Sequence, residues 1–436
     1  MENQIQKAIS NLKIETLNEM QIASIEANKG QEDCVLLSPT GSGKTLAFLL
    51  PLLGHLNANL DYVQALIITP SRELAIQIEE VFRSLGTSFK VNSTYGGHSI
   101  KVEENNFTQA PAVLVGTPGR ICDHVNRGNL DLSKVKTLIL DEFDKSLEMG
   151  FQEEMGYIVG QLNSLQKRML ISATEMKEIP SFTGIIDPIQ LNFLSGKSEG
   201  LTLKLVMSED KDKLQTLFDL LCQNTNESTI VFCNHRDTVE RISEFLTEMG
   251  VVNTYFHGGL DQTERERTMI KFRNGSSNYL ITTDLAARGL DIPEIKYIIH
   301  YHMPPKEDGF IHRNGRTARM SATGTSFLLM SRDEDMPDYI KKRPETVKLK
   351  DDNSMPKKPE WVTLYLSGGK KDKINKIDIV GFLSKKGNLE KFDLGLIIVQ
   401  DFSSYASVKR HKVSQLLQDI QNEKVKGKKL KIEIAQ

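Results

Sequence analysis

The chain has 436 residues and a net charge of −2, with 39% hydrophobic and 26% charged residues, which is typical of a soluble globular protein of two or three domains. No apolar run reaches the ~20 residues that a membrane-spanning helix needs, and Met1–Ser10 lacks the apolar segment of a secretory signal. Because no two of the four cysteines form a C-x-x-C pair, we expect reduced thiols in a cytoplasmic protein, without disulfides or a structural metal site: Cys34, Cys122, Cys222 and Cys233.

The first element with a chemical signature is an apolar run that leads into a glycine-bearing turn, CVLLSPTGSGKT at residues 34–45. Glycines let backbone N–H groups approach phosphate oxygens, the following helix directs its N-terminus at them, and Lys-Thr supplies a charge and a Mg²⁺ ligand. The sequence therefore predicts a nucleotide site; its residues are Thr40, Gly41, Ser42, Gly43, Lys44 and Thr45. Ser38 stands where the usual G-x-x-x-x-G-K-[ST] pattern has its first glycine, and a glycine-rich junction needed only for steric reasons is the alternative.

Short β-branched, apolar runs alternate with helical stretches from residue 30 to about 330. Runs that are apolar throughout are typical of parallel strands covered on both faces, so we expect a doubly wound α/β fold. A weak break near 192–200 divides the pattern into two lobes, 1–200 and 205–340. The strand candidates include Asp33–Ser38, Ala65–Thr69, Ala112–Gly116, Thr137–Asp141, Arg168–Ser172, Thr229–Asn234, Asn278–Thr283 and Tyr297–Tyr301.

The fourth of these strands ends in the acidic run Asp141-Glu142-Phe143-Asp144. Carboxylates at the carboxyl end of a parallel strand face the ligand crevice. Asp141 is placed to hold Mg²⁺, and Glu142 to orient and deprotonate an attacking water. The alternative is that these acidic residues are only exposed to solvent after the strand. The Lys-Thr turn upstream makes this alternative improbable.

Hydrolysis of a phosphoanhydride also needs positive charge at the γ-phosphate. Arg316 and Arg319 lie three residues apart, so a helix would place both on one face. Taken alone, such an arginine pair is more often solvent-exposed on a helix and has no binding role.

The composition changes after the second lobe, where residues 331–360 are charged and contain prolines, and we predict a linker at 341–360. Residues 361–436 read as a small α+β module, with strands at Val362–Leu366, Leu396–Val399, Ser404–Val408 and Leu430–Ile434 and helices at Lys376–Lys385 and Val408–Glu423. The module holds 15 Lys and Arg against 8 Asp and Glu, whereas the rest of the chain holds 40 against 49. A basic segment of this kind favours a polyanionic partner, although a solvated lysine-rich surface has the same composition.

The order of the motifs resembles the DEAD-box RNA helicase family over almost the whole chain. The motifs are Gln21, SPTGSGKT (38–45), PSREL (70–74), GG (96–97), TPGR (117–120), DEFD (141–144), SAT (172–174), IVFCN (230–234), QTER (262–265), TTDLAARGLD (282–291) and HRNGRTAR (312–319). The resemblance implies two tandem RecA-like lobes that bind ATP, Mg²⁺ and RNA, and that couple ATP hydrolysis to local strand separation on lobe closure.

The resemblance also implies roles for individual residues. Gln21 would read adenine, Lys44 would act with Asp141 and Glu142 in catalysis, and Thr45 would share Mg²⁺ with Asp141. Ser172 and Thr174 would couple hydrolysis to lobe movement, Gly289 and Asp291 would approach the nucleotide, and Arg316 and Arg319 would be arginine fingers. The implied RNA contacts are Arg72, Gly97, Thr117, Arg120, Thr282 and Thr283.

Several positions depart from the family pattern. Phe143 replaces the usual alanine, and its ring must pack nearby, with the Ser172–Thr174 segment as the candidate neighbour. Ile14 replaces an adenine-stacking aromatic, and Leu17 and Glu19 replace prolines. Ser38 and Ala318 are small replacements for alanine and glycine. Since none of these changes removes a charged catalytic group, we expect an active ATPase. The alternatives are an ATP-gated RNA clamp without unwinding, a DNA-directed helicase and a helicase of other RNAs.

The module itself resembles an RNA-recognition motif and, more narrowly, the C-terminal domain of DbpA-like bacterial helicases, through LYLSGGKKDKI (364–374) and IDIVGFL (377–383). The resemblance implies binding to 23S rRNA in 50S subunit assembly by a monomer. The candidate phosphate contacts are Lys370, Lys371, Lys373, Lys426, Lys428 and Lys429. Tyr365 and Tyr405 could either stack on bases or pack against the protein, and the sequence does not decide which face binds RNA.

Overall fold

The structure is a computed structural model that describes all residues except 1, 98–99, 177, 195–199, 225–226, 288–294, 318–322, 350–353 and 436. The described residues form two compact units, one within residues 1–199 and the other within residues 200–436. No helix of these residues is long and apolar enough to cross a membrane.

The first unit is built on a seven-stranded parallel sheet with the order β3-β4-β2-β5-β6-β1-β7. Its strands are β1 (Cys34–Leu37), β2 (Ala65–Ile68), β3 (Val91–Thr94), β4 (Val113–Gly116), β5 (Thr137–Leu140), β6 (Lys167–Ser172) and β7 (Ile189–Asn192). Its helices are α1 (Glu2–Asn11), α2 (Glu19–Ala27), α3 (Lys44–Leu52), α4 (Arg72–Ser84), α5 (Ile100–Phe107), α6 (Pro118–Asn126), α7 (Phe143–Glu148) and α8 (Gln152–Gly160), with 3₁₀ turns at Leu53–His55 and Ser181–Thr183.

Helices cover both faces of this sheet, and each face has its own apolar core. Alternate residues of a strand enter opposite cores, as the two-residue repeat of a strand requires: Leu36 of β1 lies in the core shared with α3, and Val35 and Leu37 lie in the other. This explains why the strands are apolar throughout. The predicted doubly wound α/β arrangement is confirmed for this unit.

The second unit contains another seven-stranded parallel sheet, with the order β10-β11-β9-β12-β13-β8-β14. Its strands are β8 (Leu201–Ser208), β9 (Thr229–Phe232), β10 (Asn253–Phe256), β11 (Tyr279–Thr282), β12 (Tyr297–His300), β13 (Gly324–Ser331) and β14 (Glu345–Thr346). Its helices are α9 (Leu214–Gln223), α10 (Arg236–Glu248), α11 (Gln262–Arg273) and α12 (Glu307–Asn314), with a 3₁₀ turn at Asp284–Ala287. Because β14 pairs with β8, this sheet reaches into the segment predicted as a linker.

The same unit ends in an antiparallel four-stranded sheet with the order β16-β17-β15-β18. Its elements are β15 (Trp361–Leu366), α13 (Lys376–Lys385), β16 (Leu394–Val399), β17 (Ser404–Lys409), α14 (Arg410–Asp419) and β18 (Ile432–Ile434), with 3₁₀ turns at Lys370–Asp372 and Lys391–Asp393. One face of the sheet packs on the two helices, with Leu364, Leu383 and Leu416 in the core. The predicted α+β module is therefore confirmed.

Candidate functional site

The carboxyl edge of the first sheet carries most of the predicted site residues. Lys44 follows β1, Asp141 follows β5, and Thr174 follows β6, and these three strands are neighbours. Arg72, Gly97 and Thr117 follow β2, β3 and β4, which form the adjoining part of the sheet. The strand order thus separates the predicted nucleotide residues from the predicted RNA residues along one continuous edge, with β5 and β2 at the border.

The turn that precedes α3 (residues 38–43) has the conformation that its glycines allow. Gly41 and Gly43 have φ angles of +80° and +89°, in the left-handed region that favours glycine. The Lys44 ammonium donates to the carbonyl oxygens of Ser38 and Pro39, at 2.7 and 2.9 Å. Its positive charge is therefore held against the loop, beside the N-terminus of α3.

Gln21 connects the start of α2 to this loop. Its Oε1 accepts from the Asn18 backbone N–H at 3.1 Å, and its Nε2 donates to the Gly43 carbonyl at 3.3 Å. Asn18 caps α2 and donates from Nδ2 to the Ser42 carbonyl at 2.9 Å. A Cβ at position 43 would lie 2.6 Å from the Gln21 amide nitrogen, so glycine is needed there. The Gln21 amide retains a second N–H and a second lone pair, which would allow it to bind the adenine edge. The contact with adenine itself stays a prediction.

Asp141 and Glu142 are both buried, with exposed fractions of 4% and 6%. Burial and the neighbouring Glu142 raise the pKa of Asp141 to about 7, against the opposing effect of the Lys44 charge. Glu142 has a φ of +45°, in the left-handed region that non-glycine residues rarely adopt. Its Oε2 is buried and has no hydrogen-bond partner among the described residues, so one carboxylate oxygen is available to a bound molecule.

The Ser172–Thr174 segment links the acidic run to the strand edge. Ser172 Oγ donates to the Thr174 carbonyl at 2.7 Å, and Thr174 Oγ1 donates to Asp144 Oδ2 at 2.7 Å. The Ser172 carbonyl accepts from the Ser38 N–H at 3.0 Å. One short series of hydrogen bonds therefore connects Asp144 to the first residue of the phosphate-binding loop.

Phe143 packs into an apolar core of the first unit. Its ring is fully buried in the core that includes Met155 and Ile158, and its centroid lies 6.2 Å from that of Phe182. The bulky replacement of the usual alanine is thus accommodated on the side of the sheet covered by α8.

The predicted RNA residues of the first unit differ in their surroundings. A Cβ at Gly97 would lie 2.3 Å from Arg72 Nη1, and the φ of Gly97 is +107°, so this glycine lets the guanidinium lie on the loop. Thr117 is the N-cap residue that precedes α6, and its side chain makes no capping bond. Arg120 donates to the Tyr95 carbonyl at 3.1 Å and pairs with the buried Glu103 at 3.3 Å. These contacts stabilise the loop that contains Gly97.

In the second unit, the structure does not support Thr282 as an RNA contact through its side chain. Thr282 is fully buried, and its hydroxyl donates to the Phe256 carbonyl at 2.7 Å. Thr283 is half-buried and follows β11. The expected helix face of Arg316 is also wrong, because α12 ends at Asn314 and Arg316 lies in the following turn, with 5% of its surface exposed. Gly289, Asp291, Ala318 and Arg319 lie outside the described residues.

Sequence reasoning missed Arg313, which belongs to the same HRNGRTAR motif. Its guanidinium is fully buried, pairs with Asp284, and donates to the His302 carbonyl at 2.6 Å and to Asn234 Oδ1 at 2.8 Å. It therefore ties together the segments that follow β9, β11 and β12. Asn18 and Asp144 were also missed; the N-x-x-Q spacing of a capping box and the last acid of DEFD were the available signals.

The lysine candidates of the module lie on exposed loops. Lys370, Lys371, Lys373, Lys426, Lys428 and Lys429 are all exposed. Tyr405, in contrast, is only 2% exposed and packs with Ile270 of α11, while Tyr365 is half-buried beside it with ring centroids 5.7 Å apart. The open question on Tyr405 is settled in favour of packing.

Comparison with known proteins identifies the family. Residues 18–181 match the DEAD/DEAH box helicase family, residues 212–321 the helicase conserved C-terminal domain, and residues 363–434 the DbpA RNA binding domain. ATP-dependent RNA helicase DbpA of Bacillus subtilis (strain 168) is 32% identical over 98% of this chain and 96% of its own length. The protein of the same name from Escherichia coli (strain K12) is 30% identical over 96% and 94%.

Solved structures lead to the same family. S. cerevisiae Dbp5 bound to RNA and ADP BeF3 has a TM-score of 0.68 and 27% identity, over 76% of this chain and 88% of its own. Mss116p bound to ssRNA and AMP-PNP has a TM-score of 0.68 and 25% identity, over 76% and 73%. The two parallel sheets are therefore tandem RecA-like lobes, and the chain belongs to the DEAD-box ATP-dependent RNA helicases, ATP-hydrolysing enzymes, in their DbpA-like branch.

Proposed function

We propose that this helicase couples RNA-stimulated ATP hydrolysis to local duplex separation in 23S rRNA during 50S subunit assembly, acting as a monomer. The observation that carries the proposal is the division of one sheet edge into nucleotide residues after β1, β5 and β6 and RNA residues after β2, β3 and β4. Two ligands on adjoining parts of one edge can influence each other through the paired strands β2 and β5 at the border between them.

Mg²⁺ fits the residues proposed to hold it, Asp141 and Thr45. The Asp141 carboxyl is buried next to two other acids, and burial together with the Glu142 charge raises its pKa despite the opposing charge of Lys44. A hard divalent cation with oxygen ligands is the partner that such a carboxylate prefers. When bound, the ion would offset the charge of the phosphates.

Glu142 is the proposed general base, and the argument rests on its unpartnered Oε2 and its strained backbone. A buried carboxylate oxygen that accepts no hydrogen bond from the protein can accept one from the attacking water. Lys44 would hold the phosphates from the loop, with Arg316 and Arg319 as proposed arginine fingers and Gly289 and Asp291 as proposed nucleotide contacts.

Coupling is proposed to run through Ser172 and Thr174, whose hydrogen bonds join Asp144 to Ser38. A change at the phosphates would reach the acidic run through these bonds. The proposed contacts with RNA phosphates, which make binding sequence-tolerant and salt-sensitive, are Arg72, Gly97, Thr117, Arg120 and Thr283. The module would supply the preference for rRNA, since a tethered RNA anchor raises the concentration of duplex at the lobes.

ATP turnover tests the proposal, measured with and without RNA for the wild-type chain and for Glu142→Gln. The amide cannot accept the proton of the water, so we expect kcat to fall about 10²- to 10⁴-fold, while Glu153→Gln on the exposed side of α8 keeps wild-type turnover. Equal turnover of Glu142→Gln and wild type would contradict the role of Glu142. Transcripts that tile 23S rRNA test the target: stimulation confined to one fragment supports it, and equal stimulation by all RNA removes the rRNA assignment alone.

A further inference from the structure

The outer face of the module's sheet is covered by the second lobe. Ser276 and Thr363 are joined by a hydroxyl–hydroxyl bond of 2.6 Å, and Ser407 Oγ donates to the Asn274 carbonyl at 3.1 Å. Tyr405 packs on Ile270 in the apolar part of the same contact. An RNA base could reach Tyr405 only if this buried contact opened, so an aromatic base platform has to lie elsewhere on the module.

Three loops of the module meet at one end of this sheet: residues 369–373, 400–403 and 425–429. The N–H groups of Lys370 and Lys371 donate to the carbonyls of residues 400 and 401, each at 2.9 Å. Lys426 Nζ donates to the Lys373 carbonyl at 2.9 Å, and Lys428 Nζ pairs with Asp372 at 3.0 Å. A Cβ at Gly369 would lie 2.2 Å from the residue 400 carbonyl oxygen, so glycine permits this close approach. We call the three loops the lysine-loop end.

Phe402 lies within the lysine-loop end, and its side chain is 72% exposed. The loop that carries Phe402 is anchored by Gln400, two residues earlier. The Gln400 side chain accepts from Ser403 Oγ at 2.9 Å and donates to Glu266 of α11 at 2.9 Å. A large exposed ring among lysines has the two properties of a single-strand RNA platform, a stacking surface and positive charge for the backbone. Phe392 is nearly as exposed, at 67%, but it precedes β16 whereas Phe402 follows it. The length of β16 therefore separates the two rings, which is about 20 Å for a strand of this length.

We propose that Phe402 stacks on an unpaired RNA base, with Lys370, Lys371 and the neighbouring lysines holding the adjacent phosphates. The inference rests on the proposed RNA-binding role of the module and specifies the surface and the residue. Stacking accepts any base, so Phe402 would contribute affinity, and it would favour loops and bulges over continuous duplex.

Binding of the full chain is measured without nucleotide, against transcripts that tile 23S rRNA and a random-sequence transcript of equal length. All variants are compared on the transcript that the wild type binds most tightly. Phe402→Ala is expected to weaken binding about 5- to 100-fold and to leave the slope of log K against log salt unchanged. Lys371→Ala is expected to reduce that slope by about 0.7, the value for one phosphate contact to a single strand. Phe392→Ala is the matched control and keeps wild-type binding.

A second measurement reports stacking directly. The chain has a single tryptophan, Trp361, so the tryptophan introduced by F402W adds one emitter, and F392W adds one at the control position. RNA is expected to quench the added fluorescence of F402W and not that of F392W, with F402W retaining near wild-type affinity.

The outcomes separate this inference from the proposed function. Equal binding by wild type and Phe402→Ala, or quenching that is the same in F402W and F392W, would overturn the role of Phe402 while the helicase function stands. If the tightest transcript is the random one, the rRNA target is wrong, yet the Phe402 comparison is still decisive on that transcript. If the wild type binds no transcript, both proposals are wrong.

Discussion

Replacing Phe143 by alanine would give this chain the usual DEAD sequence of its family, and we expect the change to destabilise the first lobe. The ring is fully buried in an apolar core and contacts Phe182. Loss of its transfer free energy accounts for about 2–3 kcal/mol, and the cavity adds to this, so the free energy of unfolding should fall by about 4 kcal/mol. A lobe of this size loses about 2–4 °C per kcal/mol, which predicts a decrease in melting temperature of about 8–16 °C.

The assay is scanning calorimetry of the full chain, with the first-lobe transition identified by its shift on addition of ATP. Phe392→Ala serves as the control, since Phe392 is 67% exposed and outside the core. The double variant Phe143→Ala/Phe182→Ala should be less destabilised than the sum of the single variants, by about 0.5–1.5 kcal/mol, because the two rings interact.

ATP turnover well below the transition completes this test. Because the ring lies in the apolar core with Met155 and Ile158 and carries no polar group, Phe143→Ala should keep RNA-stimulated turnover within a few-fold of wild type. An unchanged melting temperature combined with altered turnover would refute the reasoning, since it would place the ring at the nucleotide site.

Two further predictions concern coupling and pH. Thr174→Val removes the hydroxyl that donates to Asp144, so strand displacement per ATP hydrolysed should fall at least several-fold while turnover persists; equal losses of both in a displacement assay would argue against a coupling role. Burial and the charge of Arg313 lower the pKa of His300 from 6.5 to about 3, so the unfolded state binds more protons between these values, and stability is lost as the pH falls below 6.5. At pH 5 this difference lowers the free energy of unfolding by about 2 kcal/mol. Urea titrations at pH 7 and pH 5 should therefore show a smaller pH effect for His300→Asn than for wild type.

The sequence alone determined the placement of residues that follow a strand, either directly or after one short turn. Lys44 and Asp141 are placed by the ends of β1 and β5, and the carboxyl ends of parallel strands share one edge, so pattern and topology were sufficient to predict them. The same holds for the α+β module, where helix α13 was predicted with its observed bounds, because capping and apolar spacing are local signals.

Tertiary structure decided the features that depend on distant residues. The burial of Tyr405 depends on α11, more than 130 positions earlier in the sequence, and no pattern around Tyr405 reports that contact. Likewise, the spacing of Arg316 suited a helix, but α12 ends at Asn314, and Thr282 is turned inward to the carbonyl of Phe256 on the next strand. Local propensity and spacing specify elements and the residues at their ends, whereas burial is decided by what packs against them, which is a non-local property of the fold.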